Sequence, residues 1–318
     1  MTQPALAIDI GGTTIKAVVA TNTGRVLQRW SARSPHGGTA VLDSVVELVG
    51  RARSQWQARP TTSLSVQKQP LADAVSVTCP GIVDEKTGVA VYSANLGWTD
   101  FPLRSALQER LEAPVLLHHD VRAGGYGEFR YGAGAEDSYY IAVGTGISAA
   151  YIRAGQLYSP HPWCGEIGQT LIPDPNAPSE LKKLEQVCSA KAFATRLQAM
   201  EPGLLDEHAG AFEVFTLAKQ GHASARRIVE SGLDSFAQAL ASLTYTLGPA
   251  QIVIGGGLSK EGPDLLHALE KRLEDLVHPM VKPPVALAQL GADSQVLGAA
   301  ALLFDTYGPK ANTDLRNA

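Results

Sequence analysis

The sequence predicts an α/β protein built of two related halves. An apolar strand, a turn of small residues and a second strand occur twice, over Ile8–Ala20 and Ile141–Ile152. Apolar residues also recur at steps of three and four in both halves, the period of an amphipathic helix. The chain has 318 residues, and about 100–200 residues per domain leaves room for two domains.

The elements follow in order. Ala5–Ile10 is a strand ending in Asp9 and a Gly11-Gly12-Thr13-Thr14 turn, and Ile15–Ala20 follows at once. Asn22, Thr23 and Gly24 mark a turn before a third strand, Val26–Trp30. This opening is an antiparallel meander, unlike a Rossmann unit, where a helix follows the first glycine-rich turn. Leu42, Val45, Val49, Ala52 and Trp56 have helical spacing, and Arg59–Pro70 is a polar loop. Ala74–Cys79 is a buried strand, Asp84–Gly88 a turn, and Leu103, Leu107 and Leu111 a short helix with Pro102 at its start. Val115–His118 is a strand that delivers Asp120 at its end.

In the second half, Tyr139–Val143 runs into Gly144-Thr145-Gly146, and Ala149–Ile152 follows. Val229, Leu233, Phe236, Leu240, Leu243 and Leu247 define a long amphipathic helix. Ile252–Ile254 is a strand ending in Gly255-Gly256-Gly257. Leu266, Leu269, Leu273 and Leu276 define another helix, and Val296, Leu297, Ala300, Ala301 and Phe304 a last one. A polar, frayed tail is expected after Gly308.

Composition narrows the function. Apolar residues make up 45% and charged residues 18%, which allows a deep core and excludes wholesale disorder or collagen-like repeats. There are 31 acidic and 27 basic side chains, a net charge of −4. Nothing in that balance grips a phosphate backbone, so no nucleic-acid partner is expected. Cys79, Cys164 and Cys188 are far apart with no C-x-x-C pair, which fits a reducing compartment rather than a disulfide framework. No signal peptide and no long apolar run are seen, so a cytoplasmic protein with no membrane partner is expected.

Three glycine turns stand at strand ends: Gly11-Gly12-Thr13-Thr14, Gly144-Thr145-Gly146 and Gly255-Gly256-Gly257. Glycine lets backbone approach a ligand, and successive N–H groups form an anion-binding concavity. One such turn is as often a plain hairpin as a ligand site. Three, with Thr13, Thr14 and Thr145 as hydroxyl donors and Asp9 before the first, point to a nucleotide phosphate site. No G-x-x-x-x-G-K-[ST] occurs, so a P-loop is excluded.

Asp9-Ile10-Gly11-Gly12-Thr13-Thr14-Ile15-Lys16 resembles the first phosphate motif of the actin-like ATPase superfamily. More narrowly, the chain resembles the ROK family of bacterial sugar kinases and repressors. Pro80-Gly81-Ile82-Val83-Asp84, Asn95-Leu96-Gly97-Trp98, Asp120 followed by Gly127-Glu128, and Gly144-Thr145-Gly146-Ile147 carry it. So do Gly165-Glu166-Ile167-Gly168, Leu184-Glu185 and Ile254-Gly255-Gly256-Gly257-Leu258-Ser259. They stand in family order and span nearly the whole chain.

The resemblance implies two actin-like (ribonuclease H-like) α/β lobes with ATP and sugar in the cleft between them. The expected lobes are residues 1–118 with a C-terminal helix near 293–318, and residues 119–292. It implies transfer of the γ-phosphoryl of ATP to a sugar hydroxyl, usually the 6-hydroxyl of a hexose, and it implies a homodimer. ROK repressors carry a DNA-binding segment before the kinase-like part, and a first strand at Ala5 leaves no room for one. Glucose is the leading substrate. N-acetylmannosamine, N-acetylglucosamine, fructose and allose are alternatives, and polyphosphate is an alternative donor.

By the same resemblance Asp120 is the general base, set against a plain capping aspartate after a strand. Asp9 acts near Mg²⁺, directly or through water, or serves only the turn. Lys16 reaches phosphate or is a solvated strand lysine. Asn95, Glu166 and Glu185 are sugar-binding residues, since hydroxyls need paired donors and acceptors. Glu185 is equally placed to favour a helix N-terminus.

Three positions depart from the family pattern. Gln169 stands where a zinc-binding His is frequent, and Thr170–Lys183 has no cysteine, so no zinc is expected and packing around Ile172, Pro173, Pro175 and Pro178 must replace it. Gln169 itself remains a candidate sugar contact. His119 stands where Asn is usual, and is either a sugar contact that responds to pH or a packed residue. Ser148 replaces a common glycine, narrowing the phosphate turn or supplying a hydroxyl. Two further functions stay open: a non-catalytic sugar sensor, and another actin-like ATPase such as an acetate-type kinase or chaperone.

Overall fold

A computed structural model describes residues 3–59 and 69–308. Most of the expected polar loop at 59–70 and the expected frayed tail lie outside the described residues. The described chain falls into two compact units. The first takes the chain up to Tyr131, the short segment Pro160–Trp163, and everything described from Asp293 on. The second takes Gly132–Ser159 and Cys164–Ala292.

The first unit opens with β1 (Ala5–Ile10), β2 (Thr14–Ala20) and β3 (Val26–Arg33), paired antiparallel in sequence. Helix α1 (Gly38–Gln57) buries its apolar stripe, including Val45, Val49 and Trp56. β4 (Val75–Cys79) then joins β1 in parallel. A small antiparallel sheet follows, of β5 (Ile82–Asp84), β6 (Val89–Ser93) and β7 (Trp98–Phe101). Sequence spacing identified only its first turn. Helix α2 (Leu103–Leu111) leads to β8 (Val115–His119), parallel to β4, and α3 (Asp120–Tyr131) leaves directly from it.

In the second unit β9 (Ser138–Val143), β10 (Ile147–Arg153) and β11 (Gln156–Leu157) repeat the antiparallel opening. A hairpin of β12 (Leu171–Asp174) and β13 (Ala177–Lys183) precedes α4 (Leu184–Cys188), α5 (Ala190–Met200), α6 (Ala211–Lys219) and the long α7 (Ala223–Leu247). β14 (Gln251–Gly255), α8 (Pro263–Val277) and β15 (Val285–Leu287) complete it, and α9 (Ser294–Tyr307) belongs to the first unit.

The sheet orders are β3-β2-β1-β4-β8 and β11-β10-β9-β14-β15. In both, two antiparallel pairings are followed by two parallel ones. The halves therefore share one topology, although their residues differ. Each unit has its own apolar core. One is built on Leu6, Ile8, Val45, Val77 and Leu117, the other on Ile141, Phe193, Phe236, Ile252 and Leu269. Central strands β1 and β4 are buried throughout, as continuous apolar runs flanked by helices should be. The expected division at 118/119 falls within β8, whereas the first unit runs on through α3, which packs against α9.

Candidate active site

Strands β1, β4 and β8 run parallel, so their carboxyl ends meet at one sheet edge, the usual ligand side of such sheets. The register sets Asp9 opposite Thr78, and Cys79 opposite His119. Asp9 is only 6% exposed, and Thr78 Oγ1 donates to its Oδ1 at 2.9 Å. Burial pushes the Asp9 carboxyl up, while that hydrogen bond and the Lys16 charge pull it down. Lys16 lies directly opposite Asp9 on β2, and its charge acts on that buried carboxylate.

Asp120 is the first residue of α3, with its side chain 23% exposed. Its Oδ1 accepts the Val121 backbone N–H at 2.7 Å. A carboxylate here is favoured by the helix N-terminus and still reaches solvent. His119 beside it is packed, at 3% exposure. Its Nδ1 accepts the Arg122 N–H at 3.4 Å, which assigns the proton to Nε2, 3.4 Å from Asp120 Oδ1. Burial, reinforced by the Arg122 charge and opposed by the Gly81 carbonyl, pushes the imidazole down to about 3. The burial of the ring is what the packed alternative for His119 expects.

Between its ordinary value of 6.5 and about 3, the unfolded chain binds a proton at His119 that the folded chain excludes. Stability is therefore lost as pH falls through this window, by on the order of 1 kcal/mol per pH unit. Urea melts at pH 7.5 and 5.0 should show a larger loss for wild type than for His119→Asn. Equal losses would count against the assignment.

Two residues of this edge were missed from sequence. Glu85, in the turn after β5, accepts the His119 backbone N–H at 2.9 Å and Arg122 Nη1 at 3.4 Å. Arg122 is buried and also donates to the Val83 and Pro162 carbonyls. No local pattern announces them, because their partners lie 34 to 40 residues away. The Cys79 thiol is pushed well up by burial, then by Asp120, Glu85 and Asp9, which places three carboxylates around the end of β4.

Gly11 N–H donates to the Thr14 carbonyl at 3.0 Å, closing the first turn. Gly12 and Thr13 are exposed, and a Cβ on Gly12 would meet Asn95 at 3.6 Å. The first turn and Asn95 are thus neighbours within the first unit.

The second unit gathers the other candidates. Gly144 N–H donates to the Gly146 carbonyl at 2.9 Å, and Thr145 is exposed. Gln169, ending a short 3₁₀ turn, donates from Nε2 to Glu185 Oε1 at 2.8 Å. Glu185 lies in the first turn of α4, and its Oε2 would be 2.8 Å from a Cβ on Gly146. Ser148 Oγ lies 3.3 Å from Glu166 Oε1, so the residue replacing a common glycine supplies a hydroxyl. In the third turn, a Cβ on Gly255 would lie 2.4 Å from the Tyr140 hydroxyl, and Gly256 has φ +78° against the Val143 carbonyl. These two glycines have a packing reason of their own. Gly257 has only ordinary neighbours.

The hairpin β12–β13 occupies the segment where zinc ligands were not expected. Lys182 Nζ pairs with the buried Asp174 at 2.7 Å, Asn176 N–H donates to Asp174 at 2.9 Å, and Ile172 packs on the second core. The expected packing there thus includes an ion pair.

Among the described residues no helix is long and apolar enough to cross a membrane. The profile of the ROK family matches residues 5–306. A glucokinase of Halalkalibacterium halodurans is 30% identical over 316 residues, covering 92% of each chain. An N-acetylmannosamine kinase of Yersinia pseudotuberculosis is 28% identical over 305 residues, covering 93% of this chain and 96% of that one. Among solved structures, a ROK hexokinase of Thermus thermophilus superposes with a TM-score of 0.77 at 27% identity, covering 94% of this chain and 97% of that one.

Proposed function

This chain belongs to the ROK family and is a sugar kinase, and from that premise we propose that it moves the γ-phosphoryl of ATP to the 6-hydroxyl of a hexose, glucose first. The observation that supports this best is the sheet edge where β1, β4 and β8 present Asp9 and Asp120 together. In this reading Asp120 accepts the proton of the attacking hydroxyl. The sugar oxygen bonds to the γ-phosphorus, the bond from that phosphorus to the β-phosphate oxygen breaks, and ADP leaves. Positioned base catalysis contributes about 10²–10⁴-fold. Within the first unit, exposed Thr13 with the backbone around Gly12 is a proposed phosphate contact, and the second unit offers its own in exposed Thr145 with the backbone around Gly144.

Asp9 is the residue that would hold Mg²⁺. A single carboxylate suits a hard cation that keeps most of its waters. Mg²⁺ would supply charge neutralisation on the phosphates. Zinc does not fit the donors present. Gln169 is no zinc ligand, and the Cys188 thiol is buried and pushed up to about 12. Among the described residues no cluster of three His, Cys, Asp or Glu is close enough to hold a metal. We propose a zinc-free enzyme that works in the cytoplasm as a homodimer.

The test is sugar-dependent ADP release with Mg-ATP across hexoses and N-acetylhexosamines. It should be repeated after exhaustive chelation and return of Mg²⁺ alone. Strong release with a hexose, fully restored by Mg²⁺, is expected. Silence across the panel, with sugar still raising the melting temperature, would replace this reading with the sugar sensor. Recovery only on adding Zn²⁺ would refute the zinc-free assignment.

A further inference from the structure

We propose that Ser148 and Gln169 are positioning residues that hold Glu166 and Glu185 as fixed hydrogen-bond acceptors for the hydroxyls of the sugar. The inference rests on the sugar-kinase reading and deepens it.

The two pairs lie in the same unit and are built alike. Gln169 Nε2 donates to Glu185 Oε1 at 2.8 Å, within good hydrogen-bond range. Ser148 Oγ sits 3.3 Å from both Glu166 Oε1 and the Gly165 carbonyl. A hydroxyl has one hydrogen to give, and the charged acceptor draws it more strongly than the neutral carbonyl. Glu185 is held from its other side as well. Its Oε2 occupies the space where side chains on Gly146 and Gly168 would begin, 2.8 and 3.0 Å from the Cβ positions. The glycine at 146 therefore serves the carboxylate as well as the turn. Local geometry around Glu166 comes from the same strand end, where Ala149 N–H donates to the Gly165 carbonyl at 2.7 Å.

Both clamps are uncharged. They orient the carboxylates without cancelling their charge, and neither titrates in the working range. An ionised carboxylate can only accept hydrogen bonds. A sugar meeting this pair must therefore bring donors, which a free hydroxyl does at each carbon. The Ser148 hydrogen and one Gln169 amide hydrogen are already committed to the carboxylates, so the remaining donors must come from the sugar.

The experiment measures kcat and KM for glucose, mannose, N-acetylglucosamine and N-acetylmannosamine, in wild type and in Ser148→Ala, Ser148→Thr, Gln169→Leu and Gln169→Glu. Gln169→Leu and Ser148→Ala should each raise the hexose KM by about 10-fold, the loss of one hydrogen bond to a charged group, with the KM for ATP within twofold. Ser148→Thr keeps the hydroxyl and should recover most of the loss. Gln169→Glu sets two carboxyls side by side, and its hexose KM should gain a pH step above pH 5 that wild type lacks. A merely structural role would produce neither the KM split nor the pH step. An unchanged KM for the preferred sugar in both Gln169→Leu and Ser148→Ala would overturn the inference while leaving the kinase reading intact. No turnover with any sugar would overturn both.

Discussion

Replacing Asp120 with Asn is expected to lower kcat with the hexose substrate by about 10²–10⁴-fold while leaving the fold and both binding steps in place. The amide is isosteric with the carboxylate but cannot take up the hydroxyl proton. Its carbonyl can still accept the Val121 N–H that Oδ1 accepts now, at 2.7 Å. Asn is as good as Asp at a helix N-terminus, so the start of α3 should hold. What is lost structurally is the interaction of a charge with the helix end, about 0.3–1 kcal/mol at an exposed site. The neutral His119 Nε2–H, 3.4 Å from Oδ1, tolerates either side chain. Binding of sugar and of ATP, read by calorimetry, should change less than tenfold. Near-normal turnover from a clean preparation of the variant would remove Asp120 as the base. Loss of turnover together with loss of folding would instead make it a capping residue, which is the reading its position alone supports.

The fold was legible where a segment's own residues determine its structure. β1, β2, β4, β8, β9 and β14 are apolar runs bounded by glycine or polar turns, and α1, α7 and α8 carry clear apolar stripes. Helix α3 was not legible. Gly124, Gly125 and Gly127 are poor helix formers and suggest a loop. They belong to a helix because α9 packs close against it, and that partner is more than 160 residues away. The β5–β7 sheet was missed for a similar reason. Its strands are short, and Gly81 permits its start by taking φ +98° against the Tyr92 carbonyl. The glycine turns singled out Asp9, Thr13, Thr14 and Thr145 as candidates, and the family resemblance singled out Asn95, Asp120, Glu166 and Glu185. Glu85 and Arg122 escaped because their roles depend on backbone groups brought near only by the fold. The partners of Ser148 and Gln169 were likewise invisible, although both positions stood out as departures from the family pattern.

Gly298→Ala is expected to destabilise the first unit by several kcal/mol, the largest effect of a single methyl group foreseen in this chain. A Cβ at Gly298 would lie 1.7 Å from the Ala123 carbonyl oxygen and 3.0 Å from the Gly127 nitrogen. Both are backbone atoms of α3, so no side chain can rotate aside and the two helices must part. Overpacking of this kind costs about 1–3 kcal/mol, occasionally more. Parting also strains the hydrogen bond from Ser294 Oγ to Glu128 Oε1, now 2.9 Å, between side chains buried at 0% exposure. A buried carboxylate that loses a donor adds about 1–3 kcal/mol or more. Because α3 starts at Asp120, the same movement should displace the proposed base and reduce kcat even where the variant is folded. Gly50→Ala is the matched control. Gly50 lies inside α1 with nothing within 4 Å of its Cβ position, so the same added methyl should stabilise the protein by about 0.5–1 kcal/mol. Urea denaturation of the two variants should therefore move in opposite directions. A Gly298→Ala midpoint equal to wild type would mean that α3 and α9 can separate freely, and that the glycines between them do not set the position of Asp120.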